Sequence, residues 1–321
     1  MMKWKKLGQI FNPFRIDTPS WMKEYGQLPF PIELNEDIIR IFFSTRPKKD
    51  NKGQYISYSA FIDVLKKDQT KIKNISKKPI IKLGKPGTFD EFGCMSSSFV
   101  SFNDEIRCYY TGWTRKHTVP YSMAIGLSIS KDGGNTFKKY SKGPILGINK
   151  DEPYLVSGPI VKKINGNWNM WYLNGSKWLY DKIHKKYEPV YKIVHAKSND
   201  GFKWKRNGIS IIPSLTVNEC QVSFALFKIK NLWNVIFAFR QPLDFRNNLK
   251  NSYKLGYAYS EDLISWKRKD SVLNFQTSKT GWDSEMIAYP QVGIFNDKIY
   301  LYYCGNNFGK EGFGYAELIN N

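Results

Sequence analysis

Histidine is scarce in this sequence, with three residues among 321. So few imidazoles leave few candidates for histidine-based catalysis, and no Ser-His-Asp arrangement, glycine-rich nucleotide loop or metal-ligand motif is recognisable. The cysteines are far apart and lack CxxC spacing, which predicts buried free thiols rather than zinc ligands. These cysteines are Cys94, Cys108, Cys220 and Cys304. We therefore expect no cofactor, although channel carboxylates and carbonyls would leave room for an axial calcium ion.

Long apolar runs are also missing. No stretch approaches the roughly 18 apolar residues that cross a membrane, and the first residues, MMKWKKLGQIF, carry charge without a following apolar segment. We expect a cytoplasmic protein with no membrane span.

Acidic residues are few compared with basic ones, 28 against 49, which gives a formal net charge of +21. No block of six or more basic residues is present, and no helix-turn-helix or zinc-finger pattern accompanies the charge. Nucleic acid is therefore not an expected partner. The charge is spread along the loops, where it would attract anionic ligands such as nucleotide sugars or phosphorylated glycans.

Internal repetition is the dominant pattern. GWDSEMIAYPQVGIFNDKIYLYYCG, residues 281 to 305, aligns without a gap on TFDEFGCMSSSFVSFNDEIRCYYTG, residues 88 to 112. Related copies begin at Asp151 and Asn218, and a degenerate one begins at Glu24. A second motif, of the form Ser-x-Asp followed by an aromatic residue, recurs with serines at 130, 198 and 260 and predicts a structural hairpin turn.

Five copies of about 65 residues nearly account for the chain, each with four strand-like runs separated by turn residues. The pattern predicts an all-β, five-bladed β-propeller with four antiparallel strands per blade, in one domain spanning residues 1–321. The last copy ends after its third strand, and WKKLGQI near the N-terminus matches a fourth-strand sequence, WKRNGIS. We therefore expect the N-terminal strand to close the last blade.

Each copy opens with an acid. Because the first strand of a propeller blade lines the central channel, these acids are predicted to converge at one mouth of the channel as a catalytic cluster. Nearby carboxylates repel one another, so that one is protonated while another is ionised, as glycoside cleavage requires. The predicted catalytic residues are Asp90, Glu152, Glu219, Asp283 and Glu285.

The loops after the second strands are predicted to lie beside these acids. They carry aromatic residues, which stack on sugar rings or bases, and arginines, which bind carboxylate or phosphate. The predicted substrate-binding residues are Arg46, Trp113, Arg115, His117, Trp178, Arg240 and Asn306.

The segments GTFDEFG, YYTGW, GLSISKDGG and GWDSEMIAYP resemble the five-bladed glycosidase superfamily, which includes glycoside hydrolase families 43, 32, 68 and 130, and in particular a bacterial family labelled glycosylase. The resemblance spans essentially the whole chain and implies three acids on successive blades. The Glu-Cys pair at 219 is similar to the family 32 general-acid motif, and Glu152 is similar to the residue that tunes it. The expected first-blade Asp is missing, and Glu24 is one residue out of register, which would turn it to the other strand face. Either a bulge restores Glu24 to the site, or Asp90 serves as base, or the hydrolytic mechanism does not operate in this protein.

The leading hypothesis is a glycoside hydrolase-like enzyme of carbohydrate metabolism, acting on an anionic glycan, polysaccharide or sugar conjugate. Glu219 would be the acid, and Asp90 or Asp283 the base. One alternative is a glycosyltransferase or phosphorylase whose arginines hold a nucleotide sugar or phosphate. The other is a non-catalytic carbohydrate-binding propeller.

Overall fold

The computed structural model describes residues 1–320, which form five antiparallel sheets of four strands each, arranged as a propeller. In every sheet the strands are hydrogen-bonded in sequential order outward from the innermost strand, apart from the sheet that joins the two ends of the chain. The predicted fold class is confirmed.

The blades are numbered by the order of their innermost strands. Blade 1 consists of β2 (Glu24–Glu33), β3 (Ile38–Arg46), β4 (Tyr58–Leu65) and β5 (Asp68–Ile75). Blade 2 consists of β6 (Gly93–Phe102), β7 (Glu105–Arg115), β8 (Tyr121–Ser130) and β9 (Lys138–Lys139). Blade 3 consists of β10 (Val156–Ile164), β11 (Asn167–Asp181), β12 (Lys186–Ser198) and β13 (Lys205–Ser210).

Blade 4 consists of β14 (Cys220–Ile229), β15 (Leu232–Arg240), β16 (Lys254–Ser260) and β17 (Lys267–Arg268). Blade 5 consists of β18 (Ala288–Phe295), β19 (Lys298–Cys304), β20 (Phe313–Asn320) and β1 (Lys3–Phe11). A short 3-10 helix at Asp270–Val272 and a helical turn, α1, at Asn306–Gly309 complete the regular elements.

The N-terminal strand closes the ring. β1 pairs antiparallel with β20, with Trp4 opposite Leu318 and Phe11 opposite Phe313. The last blade thereby gains its fourth strand from the other end of the chain, as predicted. This pairing also covers an edge of β20 that would otherwise be open to intermolecular pairing.

Tight turns set the strand boundaries. The turns between first and second strands use paired left-handed residues, such as Asn103 (φ 50°) with Asp104 (φ 59°) and Asn296 (φ 49°) with Asp297 (φ 59°). Asparagine and aspartate tolerate this conformation, which matches the twist of a two-residue hairpin.

The Ser-x-Asp motif is a structural turn, as predicted. Ser260 donates to Asp262, and Asp262 accepts backbone N–H bonds from Ile264 and Ser265. These bonds, led by that from Ser265, lower the pKa of Asp262 to about 2. Asp132 and Asp200 make the same kinds of bond in their own turns.

Aromatic packing between neighbouring blades forms the core. Phe42 of blade 1 stacks on Phe99 of blade 2 with ring centroids 3.8 Å apart. Trp171 of blade 3 stacks on Phe224 of blade 4 at 4.8 Å. All four cysteines are free and buried.

Glycine is required where a third strand passes over a ring on the second. A Cβ at Gly126 would lie 2.6 Å from Cε1 of Tyr110. We expect Gly126→Ala to lower the free energy of unfolding by about 1–3 kcal/mol, because overpacking forces the ring or strand to move. Urea unfolding measures this.

Gly143→Ala is the matched control, because a Cβ there meets nothing within 4 Å. Equal unfolding free energies for the two variants would contradict the packing argument.

Candidate functional site

The repeated acids lie inside the blades. Asp90, Glu152 and Glu219 are each 1% exposed and Asp283 is 3% exposed. Each pairs with a base from the fourth strand of its own blade. The pairs are Asp90 with Lys139 at 2.5 Å, Glu152 with Arg206, Glu219 with Arg268 at 2.7 Å, and Asp283 with Lys6 at 2.6 Å.

A tyrosine on the second strand is a third partner in three of these blades. Tyr110 donates to Asp90 at 2.8 Å, Tyr172 to Glu152 at 2.5 Å and Tyr303 to Asp283 at 3.0 Å. In blade 4 Phe237 occupies this position, and the Arg268 guanidinium lies 4.9 Å from its ring.

The predicted convergence of these acids at the channel is therefore wrong. Asp90, Glu152, Glu219 and Asp283 do not line the central cavity, because each ion pair holds its carboxylate between the loop before the first strand and the fourth strand. Glu285 is exposed and lies away from that cavity. Glu219 shares the ion-paired position of the other buried acids. A catalytic role for the five acids stays a prediction.

A different set of side chains lines the central cavity, which has a volume of about 1000 Å³. The first strands and the loops after the second strands form its walls, as the sequence predicted for these loops. Seven cations line it: Arg46, Lys49, Arg115, Lys116, Arg240, Arg246 and Lys310. Nine aromatic residues line it as well: Tyr25, Tyr55, Trp113, Tyr121, Tyr191, Phe245, Tyr253, Tyr289 and Phe308.

Four of the seven predicted binding residues line this cavity: Arg46, Trp113, Arg115 and Arg240. His117 is exposed and is not part of the lining. Trp178 lies behind the cavity wall, where it packs edge-on against Tyr121 with ring centroids 5.5 Å apart. Asn306 holds the 281–286 loop instead, accepting N–H bonds from Glu285 and Met286. His117, Trp178 and Asn306 therefore do not form the cavity wall.

Arg240 is 2% exposed, yet its hydrogen-bond partners are all neutral. They are the hydroxyls of Tyr253 at 3.2 Å and Tyr191 at 3.1 Å, and three backbone carbonyls. The ring of Phe245 lies 3.6 Å from the guanidinium carbon. A buried positive charge thus faces the cavity without a carboxylate within salt-bridge distance among residues 1–320.

Arg46 is in a similar position on blade 1. One of its terminal nitrogens donates to Gln27 at 3.2 Å, and its buried Nε has no hydrogen-bond partner in the described part of the chain. The rings of Tyr25 and Tyr55 lie 4.6 and 5.1 Å from the guanidinium carbon. Burial lowers the pKa of Arg46. The pKa of an arginine side chain lies so far above 7 that the guanidinium of Arg46 is still charged at pH 7.

Two carboxylates associated with the cavity were not among the predicted catalytic residues. Glu188 lines it and pairs with Arg246 and, at 3.2 Å, with Lys186. Glu24 accepts the Tyr55 hydroxyl hydrogen at 2.5 Å and lies 3.9 Å from Lys310.

A local irregularity of the backbone explains why the Glu24 side chain lies near the cavity. The register shifts between Glu24 and Gln27, where Tyr25 has a φ of 69°. This bulge re-aims the side chains, which is the usual effect of an extra residue in a strand. The sequence signal was an acid one position out of register with the other copies.

Glu188 is positioned by an extended hairpin. β11 and β12 are the longest strands of the protein, with 15 and 13 residues, and project beyond the rest of blade 3. Near the tip, Asn247 of blade 4 bonds His184 at 2.6 Å. The hairpin therefore forms part of the cavity rim together with the 241–253 loop.

Four of the tyrosines that line the cavity have raised pKa values and remain protonated at physiological pH. Burial, followed by the hydrogen bond to Glu24, raises the pKa of Tyr55. Burial also raises the pKa values of Tyr121, Tyr191 and Tyr289. These hydroxyls are consequently neutral hydrogen-bond donors.

Among residues 1–320, no group of three or more His, Cys, Asp or Glu side chains is arranged to hold a metal ion. Nor does any helix in this range have the length and apolar character of a membrane-spanning segment.

Solved structures with the same architecture include glycoside hydrolases. The chain matches a glycoside hydrolase with a TM-score of 0.75 at 14% identity, covering all of this chain and 93% of that one. It matches a thermostable family 43 glycoside hydrolase with a TM-score of 0.62 at 12% identity, covering 92% and 88%. A family 32 β-fructofuranosidase of Bombyx mori gives 0.57 at 15% identity, covering 94% and 62%. The fold is therefore that of the glycosidase-type five-bladed propellers.

Two relatives from Mycobacterium tuberculosis, uncharacterized proteins MT1551 and Rv1502, are each 30% identical over 320 residues, covering 99% of this chain and all of the relative. The chain belongs to the same family as these two proteins. No protein-family model matches it.

The buried ion pairs predict a stability effect. We expect Asp90→Asn to lower the free energy of unfolding by about 1–3 kcal/mol, because the partly exposed Lys139 loses its counter-ion at the buried Asp90 position. Denaturant unfolding measures this, with the exposed Asp151→Asn as control.

Combining Asp90→Asn with Lys139→Met should recover part of the loss, because no unpaired charge then remains. Ligand binding in the central cavity should survive in the folded Asp90→Asn variant. A stable variant that has lost activity would instead restore the catalytic assignment of Asp90.

Proposed function

We propose that this protein is a glycoside hydrolase-like enzyme that binds an anionic carbohydrate in its central cavity and cleaves or transfers a glycosyl unit. The observation that carries the proposal is the lining of the cavity, with seven cations, nine aromatic rings and one carboxylate, Glu188.

The charge supports an anionic ligand. Like charges concentrated in a cleft with low-dielectric walls raise the local concentration of the opposite ion. Among residues 1–320, neither Arg46 nor Arg240 has a carboxylate within salt-bridge distance, so an incoming carboxylate, sulfate or phosphate would supply a counter-charge. Arginine forks suit such oxyanions geometrically.

The aromatic residues support a carbohydrate as the rest of the ligand. Rings such as Trp113 and Phe308 offer flat faces to the apolar face of a sugar ring. A cavity of about 1000 Å³ is large enough for an oligosaccharide or a nucleotide sugar.

The chemistry is assigned to Glu24 and Glu188. Glycosyl cleavage in most glycoside hydrolases uses two carboxylates on either side of the scissile bond. Glu188 lines the cavity, and Glu24 contacts Tyr55 and Lys310, which line it. We assign the general acid and its partner carboxylate to this pair.

Glycosyl transfer to or from phosphate, or from a nucleotide sugar, is the second candidate. The arginines without carboxylate partners favour it, because a phosphoryl group needs more positive charge than a neutral glycan does.

A cytoplasmic location belongs to the same proposal and is supported by four free buried thiols, which are typical of reducing compartments.

The test is a screen of the purified protein against charged oligosaccharides and nucleotide sugars, with and without inorganic phosphate, read by mass spectrometry. Product that requires phosphate or nucleotide would select transfer over hydrolysis. Tight binding without product would identify a carbohydrate-binding propeller. Absence of binding to every anionic glycan would refute the proposal.

Glu24 is predicted to act in catalysis. We expect Glu24→Gln to reduce kcat at least about 100-fold with little change in substrate affinity, because proton transfer by a positioned carboxyl contributes that much. Steady-state kinetics on the substrate from the screen measures it. Glu36→Gln, an exposed acid on the β2–β3 turn, should behave like the parent. Full activity in Glu24→Gln would remove Glu24 from the mechanism.

Arg115 is predicted to bind the ligand. We expect Arg115→Gln to weaken binding about tenfold, because a hydrogen bond to a charged group contributes about 1.5–3 kcal/mol. Raising the salt concentration should also weaken binding to the parent protein, since exposed charges are screened. Calorimetric titration measures both effects, with the exposed Arg15→Gln as control. Salt-independent binding would argue against an electrostatic site.

A further inference from the structure

A cluster of tyrosines and arginines forms one wall of the central cavity. Tyr191, Tyr253 and Tyr289 come from blades 3, 4 and 5, and the rings of Tyr253 and Tyr289 are 5.8 Å apart. Arg240 contacts the first two tyrosines, and Arg46 approaches from blade 1. We call these five residues the arginine–tyrosine wall.

The hydrogen atoms of this wall can be counted. Arg240 donates to the hydroxyl oxygens of both Tyr191 and Tyr253, and these two oxygens are 2.5 Å apart. One hydroxyl hydrogen must lie between the oxygens. The second hydroxyl hydrogen has no acceptor among residues 1–320, and it can point into the cavity. A donor polarised by a buried guanidinium therefore faces the ligand space.

The opposite side of the wall has further free donors. The Tyr289 hydroxyl makes no hydrogen bond within the described residues, and the Arg46 guanidinium bonds only Gln27 there. The Tyr289 ring lies beside that of Tyr253, whose hydroxyl accepts from Arg240, and Arg46 lines the same cavity. Donors from several blades and two guanidinium groups thus line one cavity.

The number and directions of these donors favour one class of anion. A carboxylate has two coplanar oxygens that a single arginine fork can satisfy. A phosphoryl group has three terminal oxygens in a tetrahedral arrangement and carries a charge of about −1.5 to −2 at pH 7, which matches two guanidinium groups.

We propose that the arginine–tyrosine wall is a phosphoryl-binding subsite, which receives the monoester phosphate of a sugar phosphate while the sugar extends toward Glu24 and Tyr55. This inference rests on the proposed function, because it places the anionic group of that carbohydrate. Arg240 is a positioning residue, since its donors are engaged by the tyrosines and carbonyls.

The experiment is calorimetric titration of the full-length protein at pH 7.5 and pH 5.0. The probes are inorganic phosphate, a panel of hexose 1-phosphates, uridine diphosphate glucose, glucuronate and methyl glucoside. We expect a phosphate-bearing probe to bind most tightly. For a hexose 1-phosphate, affinity should fall at least about threefold at pH 5.0, because the second ionisation of a phosphate monoester lies near pH 6. Glucuronate binding should not follow that titration.

Variants locate the subsite. Tyr253→Phe and Tyr289→Phe should each weaken phosphate binding at least about fivefold, and Arg46→Gln at least about tenfold, with partial rescue by Arg46→Lys. Tyr140→Phe, an exposed tyrosine outside the cavity, is the matched control. Circular dichroism confirms that each variant is folded.

The outcomes separate the two proposals. Binding of inorganic phosphate alone, lost in the tyrosine variants, would support the subsite with free phosphate as its ligand and would count against the carbohydrate. Cavity binding of glucuronate, with no phosphate-bearing probe bound, would overturn the subsite and leave the proposed function standing. Phosphate binding that is unchanged in Tyr253→Phe, Tyr289→Phe and Arg46→Gln would also overturn it.

Discussion

The buried acid–base pair is the interaction on which four of the five blades depend. The fourth strands of blades 2 and 4, Lys138–Lys139 and Lys267–Arg268, have only two residues each, so their ladder hydrogen bonds are few. In both strands the final residue is the base that reaches the buried acid of the same blade. Removing one partner of such a pair leaves an uncompensated charge, so substitutions at either position are expected to destabilise the blade. Among residues 1–320, blade 1 has no such pair, and Phe43 of its second strand packs against Phe11 with ring centroids 4.6 Å apart.

The same pairs determine the charge of the cavity. Four carboxylates that could have balanced its arginines are held within the blades instead, and the cations at the ends of the second strands are left facing the channel. Arg46, Arg115 and Arg240 are the last residues of β3, β7 and β15. The propeller thus segregates its acids into the blades and its bases around the axis. The basic character of the site follows from this arrangement, in addition to the overall charge of +21.

The fold could be predicted from the sequence because the strand pattern, which is ambiguous in any single copy, recurs in five copies. A single copy of alternating aromatic and polar residues is compatible with several β-folds, but five copies with a displaced final strand are compatible with few. The acids were misplaced because the repeat gives their position along each blade but not the direction in which the side chain points. Their partners recur with the same period, since Asp90 and Glu219 pair with bases on the fourth strands of their own blades, and Asp283 pairs with Lys6 on the displaced fourth strand. The matching bases in WKKLGQI and WKRNGIS, Lys6 and Arg206, were the sequence signal for these ion pairs. The orientation of Glu24 could not be predicted for a local reason. It depends on a bulge in which Tyr25 is left-handed, and tyrosine is not a residue type that marks such a bulge.

The candidate site consists largely of departures from the repeat. The long β11–β12 hairpin, the 241–253 loop and the additional bulge at Tyr25 in β2 have no counterparts in the other blades, and together they supply Glu188, Phe245, Arg246 and Glu24. Strained or electrostatically unbalanced positions are retained when the surrounding fold compensates for their cost, and they tend to coincide with functional sites. A buried guanidinium such as Arg240, bonded only to neutral groups, is such a position. An anion bound in the cavity, as proposed, would supply the counter-charge that the described residues do not, and its Coulomb attraction to Arg240 would be strong where water is excluded.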